Sequence, residues 1–209
     1  MKQIIELVVP ESWKDITLRE YLALQKDLED YKGDTEAQTA ITIFHLCGLS
    51  ADQLHKISNE AFQTLKSTLQ SFMSETKHEL HKTITIGGVE YGFEPNLSQM
   101  SYGAYVDITK YDTITIDDNW ANIMSILYRP IETNGKLWYT IKPYNGEIES
   151  EKWLDVGMDT HFGCLFFFVN LLMDLQSSIL NSTSKEMGLH PNFKSILERS
   201  GEIIRQSFL

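Results

Sequence analysis

The chain has 209 residues, with 18 Lys or Arg against 29 Asp or Glu, so its formal net charge at pH 7 is −11. A composition of 42% hydrophobic and 11% aromatic residues is typical of a globular protein and excludes a mainly disordered one. Nucleic-acid binding by phosphate neutralisation needs clustered basic residues, and acidic residues interrupt the basic stretches here. The composition therefore argues against a nucleic-acid partner.

The sequence predicts neither membrane insertion nor export. Its longest apolar run, Phe162 to Met173, has 12 residues, whereas a spanning helix needs about 20. The first residues, Met1 to Glu6, lack the apolar region of a secretory signal. Cys47 and Cys164 lie in apolar helical patterns, which predicts two free buried thiols in a reducing compartment.

The first 82 residues predict a strand followed by four helices. The stretch Ile4 to Val9 is rich in β-branched residues and closes at a proline, as in an edge strand. Capping patterns predict the next three helix starts, at Thr17, Thr35 and Ser50. A fourth helix is expected from Asn59 to Glu75.

Near residue 83 the hydrophobic pattern changes from helical to alternating. Thr83–Ile86 and Val89–Phe93 flank Gly87-Gly88, a pair that can adopt the positive φ values of a two-residue hairpin turn. A second hairpin is expected, with its turn at Asn134-Gly135 and its returning strand at Leu137 to Ile141.

Four more helices are expected around these hairpins. Their predicted starts are Ser98 or Ser101, Asn119, Asp159 or Thr160, and Asn192, with the third ending near Asn181 and the fourth at Phe208. The predicted fold class is α+β, mainly α-helical, with helix pairs, two short β-hairpins and a long buried helix in the C-terminal half. The expected parts are residues 1–82 and 83–209, or one compact domain.

No established catalytic signature is present, and we predict no enzyme activity and no cofactor. The best metal candidate is His78 with His81, three residues apart on an expected helix, but no third ligand accompanies them. The alternative is a pair of partly exposed histidines at a helix end. Asp112, Asp117 and Asp118 precede a helix, where capping explains acidic residues without a calcium site or a catalytic role.

Aromatic residues at positions that predict half-burial are the main functional signal. Aromatic side chains with a polar tip are favoured in protein interfaces, and the alternative is that they line the chain's own core. The positions are Trp13, Tyr102, Tyr111, Trp120, Trp138, Tyr139, Tyr144 and Trp153. Phe166 to Phe168 span about 200° of a helix, so other helices or a partner must cover part of them. Our candidates for protein interaction are Trp120, Trp138, Tyr139, Tyr144, Trp153 and Phe167.

Five segments carry a resemblance to a known family: Ile86–Leu97, Met100–Asp107, Ile126–Ile131, Ile141–Gly146 and Phe162–Phe168. In order and spacing they resemble proteins encoded among the virion structural and assembly genes of tailed bacteriophages, the crAss-like and related phages of Bacteroidetes and marine hosts. The resemblance extends over a little under half of the chain. A weaker likeness covers Ile16–Tyr21.

This resemblance implies a role in phage particle morphogenesis and no catalytic residues. One compatible role is a connector-ring subunit of the neck or tail, in contact with copies of itself in a homo-oligomeric ring, with the portal and with neighbouring tail proteins. Another is a tail assembly chaperone that is absent from the mature virion, and a third, less favoured, is a small enzyme or metal-binding protein. The expected locations are the virion and, during assembly, the host cytoplasm.

Overall fold

The computed structural model describes residues 7–75, 78–111, 115–135 and 138–187 of the protein. Across these residues the chain forms eight α-helices and one four-stranded antiparallel sheet, the mainly α-helical α+β fold that the sequence predicts. The helices are α1 (Leu18–Glu29), α2 (Thr35–Cys47), α3 (Ala51–Leu54), α4 (Asn59–Met73), α5 (Tyr102–Thr109), α6 (Trp120–Leu127), α7 (Glu151–Leu154) and α8 (Met158–Met187). The strands are β1 (Thr83–Ile86), β2 (Val89–Phe93), β3 (Tyr128–Asn134) and β4 (Tyr139–Ile141).

The chain divides into two compact units, Met1–Leu165 and Phe166–Leu209. Helix α8 begins in the first unit and continues into the second. The predicted final helix, from Asn192 to Phe208, lies outside the described residues.

Side-chain caps begin the N-terminal helices much as the sequence predicts. The Thr17 hydroxyl accepts a hydrogen bond from the Glu20 backbone N–H at 3.2 Å, and the Glu20 carboxylate accepts one from the Thr17 N–H at 2.8 Å. Helix α2 differs, because Asp34 caps it by accepting from the Ala37 N–H at 3.0 Å, and Thr35 is its first helical residue. The prediction of Thr35 as the cap is therefore wrong by one residue.

The predicted strand at Ile4 to Val9 is wrong in the part that the structure describes. Residues 7–9 have no regular structure, and Val8 is 87% exposed. A β-branched run becomes a strand only where another strand pairs with it, and none of the four strands lies beside this segment. Residues 4–6 lie outside the described residues.

The sheet has the order β1-β2-β3-β4 and contains both predicted hairpins. The first turns at Gly87 and Gly88, whose φ angles of 57° and 80° suit the turn type that matches strand twist. In the second, Asn134 still pairs with Tyr139 as a strand residue, and the Gly135 N–H donates to the Trp138 carbonyl at 2.8 Å. The turn is therefore wider than the predicted two-residue Asn134-Gly135 turn, and β4 starts two residues later than expected.

Segments from both sides of residue 82 pack together in the first unit. The Leu18 N–H donates to the Val156 carbonyl at 3.1 Å, and the Met158 N–H donates to the Ile16 carbonyl at 2.8 Å. The second of these bonds satisfies the first N–H of α8, so this helix begins at Met158 by a tertiary contact. The predicted side-chain caps Asp159 and Thr160 lie inside the helix instead. The division at 82/83 stays a prediction about independent folding.

A cluster of aromatic rings joins the start of the chain to α4 and α8. The indole of Trp13 makes edge-to-face contacts with Phe72 and Phe162, at ring-centroid distances of 5.4 and 4.8 Å. The ring of Tyr21 in α1 also makes edge-to-face contacts, with Trp13 at a centroid distance of 6.2 Å and with Phe162 at 5.5 Å. Such pairs stabilise a core beyond the apolar area that they bury.

The fully buried His161 joins helices α6, α7 and α8 of the first unit by hydrogen bonds. The Trp120 Nε1–H donates to Nδ1 of His161 at 3.1 Å, and Nε2 of His161 lies 3.1 Å from the Trp153 carbonyl oxygen. An indole N–H can only donate and a carbonyl can only accept, so these partners select the neutral ring that is protonated at Nε2. Burial lowers the pKa of His161 to about 4, against the raising effect of the Trp153 carbonyl.

This histidine predicts a loss of stability in mild acid. Its pKa falls from an ordinary 6.5 to about 4 on folding, so between these pH values the unfolded chain binds a proton that the folded chain does not. The free energy of unfolding should therefore decrease by roughly 3 kcal/mol as the pH falls through this window, and the effect should be absent above it. Urea denaturation at several pH values measures it.

A pair of variants isolates the contribution of His161. His161→Gln should be less stable at pH 7 and should lack this part of the pH dependence, whereas His55→Gln removes an exposed histidine and should keep the wild-type dependence. A His161→Gln variant with the wild-type slope between pH 6.5 and 4 would contradict the assignment.

Candidate functional site

Three of the aromatic residues predicted to be half-buried lie in the core. Trp120 and Trp153 have no exposed surface and Trp13 is 7% exposed, so the prediction of half-burial is wrong for them. Helix α6, which begins with Trp120, is buried along most of its length and has no solvent face. The basis for choosing Trp120 and Trp153 as interaction candidates is thereby removed.

Among the described residues, three other aromatic side chains have the largest exposed fractions. Tyr102 is 81% exposed, Tyr105 is 58% exposed and Trp138 is 60% exposed. Tyr102 and Tyr105 lie three residues apart on α5 and therefore on one helix face; we call them the exposed tyrosine pair. Trp138 follows the turn of the second hairpin.

Helix α5 exposes Tyr102 more than the half-burial that the sequence predicts, and Trp138 is likewise more exposed than predicted. The helix packs instead through its smallest residues: Ala104 is fully buried, and a side chain at Gly103 would meet the Tyr144 ring at 3.6 Å. The small residues Gly103 and Ala104 between large ones are the sequence signal for this orientation.

Tyr144 anchors the segment after β4 to α5. Its hydroxyl donates to Oδ2 of Asp107 at 2.6 Å, and the other carboxylate oxygen of Asp107 pairs with the Lys110 ammonium. The Lys110 contact first and the Tyr144 hydroxyl second lower the pKa of Asp107. Burial, followed by the Asp107 contact, raises the pKa of Tyr144 to about 12, so Tyr144 remains a neutral donor at physiological pH.

Tyr139 uses its polar end inside the protein. Its hydroxyl lies 2.7 Å from the Phe93 carbonyl oxygen and 3.1 Å from that of Lys82. Its ring covers Gly92, where an added Cβ would lie only 2.5 Å from the ring. Tyr139 and Tyr144 are half-buried, as predicted, and each hydroxyl is engaged within the chain; their role in interactions stays a prediction.

The phenylalanine run begins the second unit. Phe166, Phe167 and Phe168 are each half-buried, and the rings of Phe167 and Phe168 lie 5.5 Å apart in an edge-to-face contact. Phe167 as an interaction residue remains a prediction.

The two candidate metal ligands do not share a helix face. Residues 78–81 are not helical, which contradicts the expected helix. Nε2 of His78 lies 3.1 Å from the Glu75 carbonyl oxygen, and Nδ1 of His81 lies 3.2 Å from the Thr160 hydroxyl. Among the described residues, no group of three or more His, Cys, Asp or Glu side chains is placed to hold a metal ion.

The acidic loop before α6 forms a local turn where the structure describes it. Oδ1 of Asp117 accepts a hydrogen bond from the Asn119 N–H at 2.8 Å, which forms an Asx turn ahead of α6. The N-cap residue of α6 is Asn119 and has no side-chain capping bond, so the predicted capping role of aspartate is wrong for Asp117. Asp118 is exposed, and Asp112 lies outside the described residues.

None of the helices in the described ranges combines the length and the apolar character that crossing a membrane requires. In comparisons with protein-family models, with curated proteins and with solved structures, the chain has no match.

The contacts of Asp107 predict an order of effects on its carboxyl group. Lys110→Gln should raise the pKa of Asp107 towards its ordinary 3.8 by more than Tyr144→Phe does, because Lys110 is the larger of the two influences. Carbon-detected NMR titration of the Asp107 carboxyl group measures both shifts. Tyr102→Phe is the matched control, since it removes a hydroxyl from an exposed tyrosine of the same helix. A larger shift with Tyr144→Phe than with Lys110→Gln would contradict this account.

Proposed function

We propose that this protein is a non-enzymatic structural subunit of a tailed-phage particle, a connector-ring subunit of the neck or tail that acts through contacts with other proteins. The resemblance of five segments to phage structural and assembly proteins supports the phage assignment. The exposed tyrosine pair on α5 supports the mode of action, and it is the observation that carries the proposal.

The exposed tyrosine pair has the properties of an interface anchor. Tyrosine is enriched among the residues that dominate binding energy at protein interfaces. Tyr102 and Tyr105 leave 81% and 58% of their surfaces in solvent, and burying the exposed part of one such ring contributes on the order of 2 kcal/mol. The helix that presents them is held by Tyr144 and by the buried Ala104, so little backbone order has to be gained on binding.

A neighbouring copy of the chain in a closed ring is the proposed occupant of this surface. Homo-oligomers with closed symmetry are the common way in which one surface is repeated in an assembly. A ring with a charge of −11 on each subunit would also repel the DNA phosphates that pass through a neck or tail, which keeps the passage free of tight binding.

Mass spectrometry of purified particles separates the ring from the chaperone. A connector-ring subunit should be present in mature virions at a fixed copy number. For a closed ring coaxial with the tail, this number should be about six or a multiple of it. If the protein is made during infection but missing from mature virions, the ring proposal is wrong and the assembly chaperone takes its place.

Substitution of the exposed tyrosine pair tests the interface directly. The double variant Tyr102→Ser, Tyr105→Ser should weaken self-association by at least about tenfold, measured by sedimentation equilibrium, and should unfold in urea at the wild-type midpoint. Trp138→Ala is expected to act in the same direction, because Trp138 is an exposed residue among the interaction candidates that the sequence predicts.

The matched control is Tyr31→Ser, which removes a tyrosine that is 48% exposed in the connection between α1 and α2. It should leave self-association unchanged. Equal sedimentation of the wild type, the double variant and the control would contradict the proposed interface. Tyr144→Ala is a less specific test than the sequence suggests, because it also removes the Asp107 contact that holds α5.

A further inference from the structure

A cleft of about 210 Å³ opens beside β3 in the first unit. Three basic side chains line it, those of Arg129, Lys142 and Lys152, together with Tyr144 and the carboxylates of Glu147 and Glu149. We call it the Arg129 cleft. Pockets for drug-sized ligands measure about 300–1,000 Å³, so this one has room for a single small group.

Arg129 is the least satisfied polar residue of the cleft. Its side chain is 11% exposed, and one guanidinium nitrogen, Nη2, donates to the Glu94 carboxylate. Its Nε and Nη1 atoms are buried and have no hydrogen-bond partner among the described residues. A buried donor without an acceptor is destabilising, and nearly all buried donors in native proteins are hydrogen-bonded. Arg129 therefore has two donors for an acceptor that the described residues do not supply.

The other basic residues differ in how much of their charge is compensated. The Lys152 ammonium pairs with Glu149 and donates to the Tyr91 hydroxyl at 2.9 Å. Lys142 is exposed at the cleft and makes no ion pair or side-chain hydrogen bond with the described residues. The cleft thus combines unmet guanidinium donors with a cation that has no acidic partner.

Charge balance distinguishes a tethered ligand from a free anion. Counting Glu94, three carboxylates face three basic residues, so the cleft has no net field that would draw an anion from solution, and the chain as a whole carries −11. A free carboxylate should therefore bind weakly and only at high concentration, whereas a carboxylate carried by a docked protein is supplied at a high local concentration.

We propose that the Arg129 cleft binds one carboxylate of a neighbouring protein, an Asp or Glu side chain, between Arg129 and Lys142. One oxygen accepts from the guanidinium N–H groups that lack a partner, and the carboxylate pairs with the Lys142 ammonium. Because Nε and Nη1 are shielded from solvent, side chains of the cleft wall adjust as the ligand enters. The source of the carboxylate rests on the proposed function, since an assembly subunit brings a second protein surface to this cleft.

Binding of two matched probes to the full chain tests the chemistry. The probes are N-acetyl-glutamate N-methylamide and N-acetyl-glutamine N-methylamide, which share a shape and differ in charge. The glutamate probe should shift the Arg129 Nε–H resonance in a saturable manner, and the glutamine probe should bind at least about fivefold more weakly. Equal binding of the two probes, or no shift with either, would overturn the proposal.

Lys142→Gln keeps the test informative without disturbing the buried Arg129–Glu94 pair. It should weaken binding of the glutamate probe by about fivefold, whereas Lys56→Gln, which removes an exposed lysine after α3, should leave it unchanged. Unchanged binding with Lys142→Gln would overturn the site.

Inorganic phosphate is the third probe. Tighter binding of phosphate than of the glutamate probe would identify a site for free anions and overturn the assignment to a protein carboxylate. These measurements do not depend on self-association. If the tyrosine variants assemble normally while the glutamate probe binds at Lys142, the proposed interface fails and the cleft chemistry stands; if the tyrosine variants fail to assemble and the probe does not bind, only the cleft is wrong.

Discussion

The hydrogen-bond chain from Trp120 through His161 to Trp153 is the contact on which the first unit depends. It links α6, α7 and α8 through one imidazole that has no exposed surface. The two partners together select one protonation state of His161, so its hydrogen bonds fix the orientation of the ring as well as its position. Tyr128, Met124 and Met158 are among the largest fully buried side chains of the unit, and the Tyr128 ring lies 5.3 Å from that of Trp153. The sheet and α5, which form the candidate surfaces, are built outward from this core through α6 and β3.

Features of the chain that depend on neighbouring residues could be predicted from the sequence. The capping box at Thr17 and the turn at Gly87-Gly88 are local hydrogen-bond or backbone requirements, and both occur as expected. Features decided by distant residues could not. Helix α8 starts at Met158 because the Ile16 carbonyl accepts from it, and Trp120 is buried because α7 and α8 close over α6. The residue spacing within α6 or α8 predicts neither the start of α8 at Met158 nor the burial of Trp120.

The candidate surfaces also combine features set by neighbouring residues with features set by distant ones. Half-burial of Tyr139 and Tyr144 agrees with the aromatic signal in the sequence, whereas Trp138 is more exposed than predicted. The exposure of Tyr105 depends on which face of α5 the Tyr144 ring covers. Arg129 offered no signal, since an arginine next to a proline in a strand has no special spacing. Its burial, its partner Glu94 and its two unmatched nitrogens result from the pairing of β2 with β3.

Both cysteines of the chain, Cys47 and Cys164, are free and buried, and burial raises the pKa of each thiol. The thiolate is the nucleophile that attacks maleimides and disulfides, so burial and a raised pKa should make both cysteines react slowly in the folded protein. A cysteine placed on the solvent face of α5 would then be its sole reactive thiol. The native cysteines therefore need no replacement before site-directed cross-linking or fluorescent labelling is used to map what lies next to that helix.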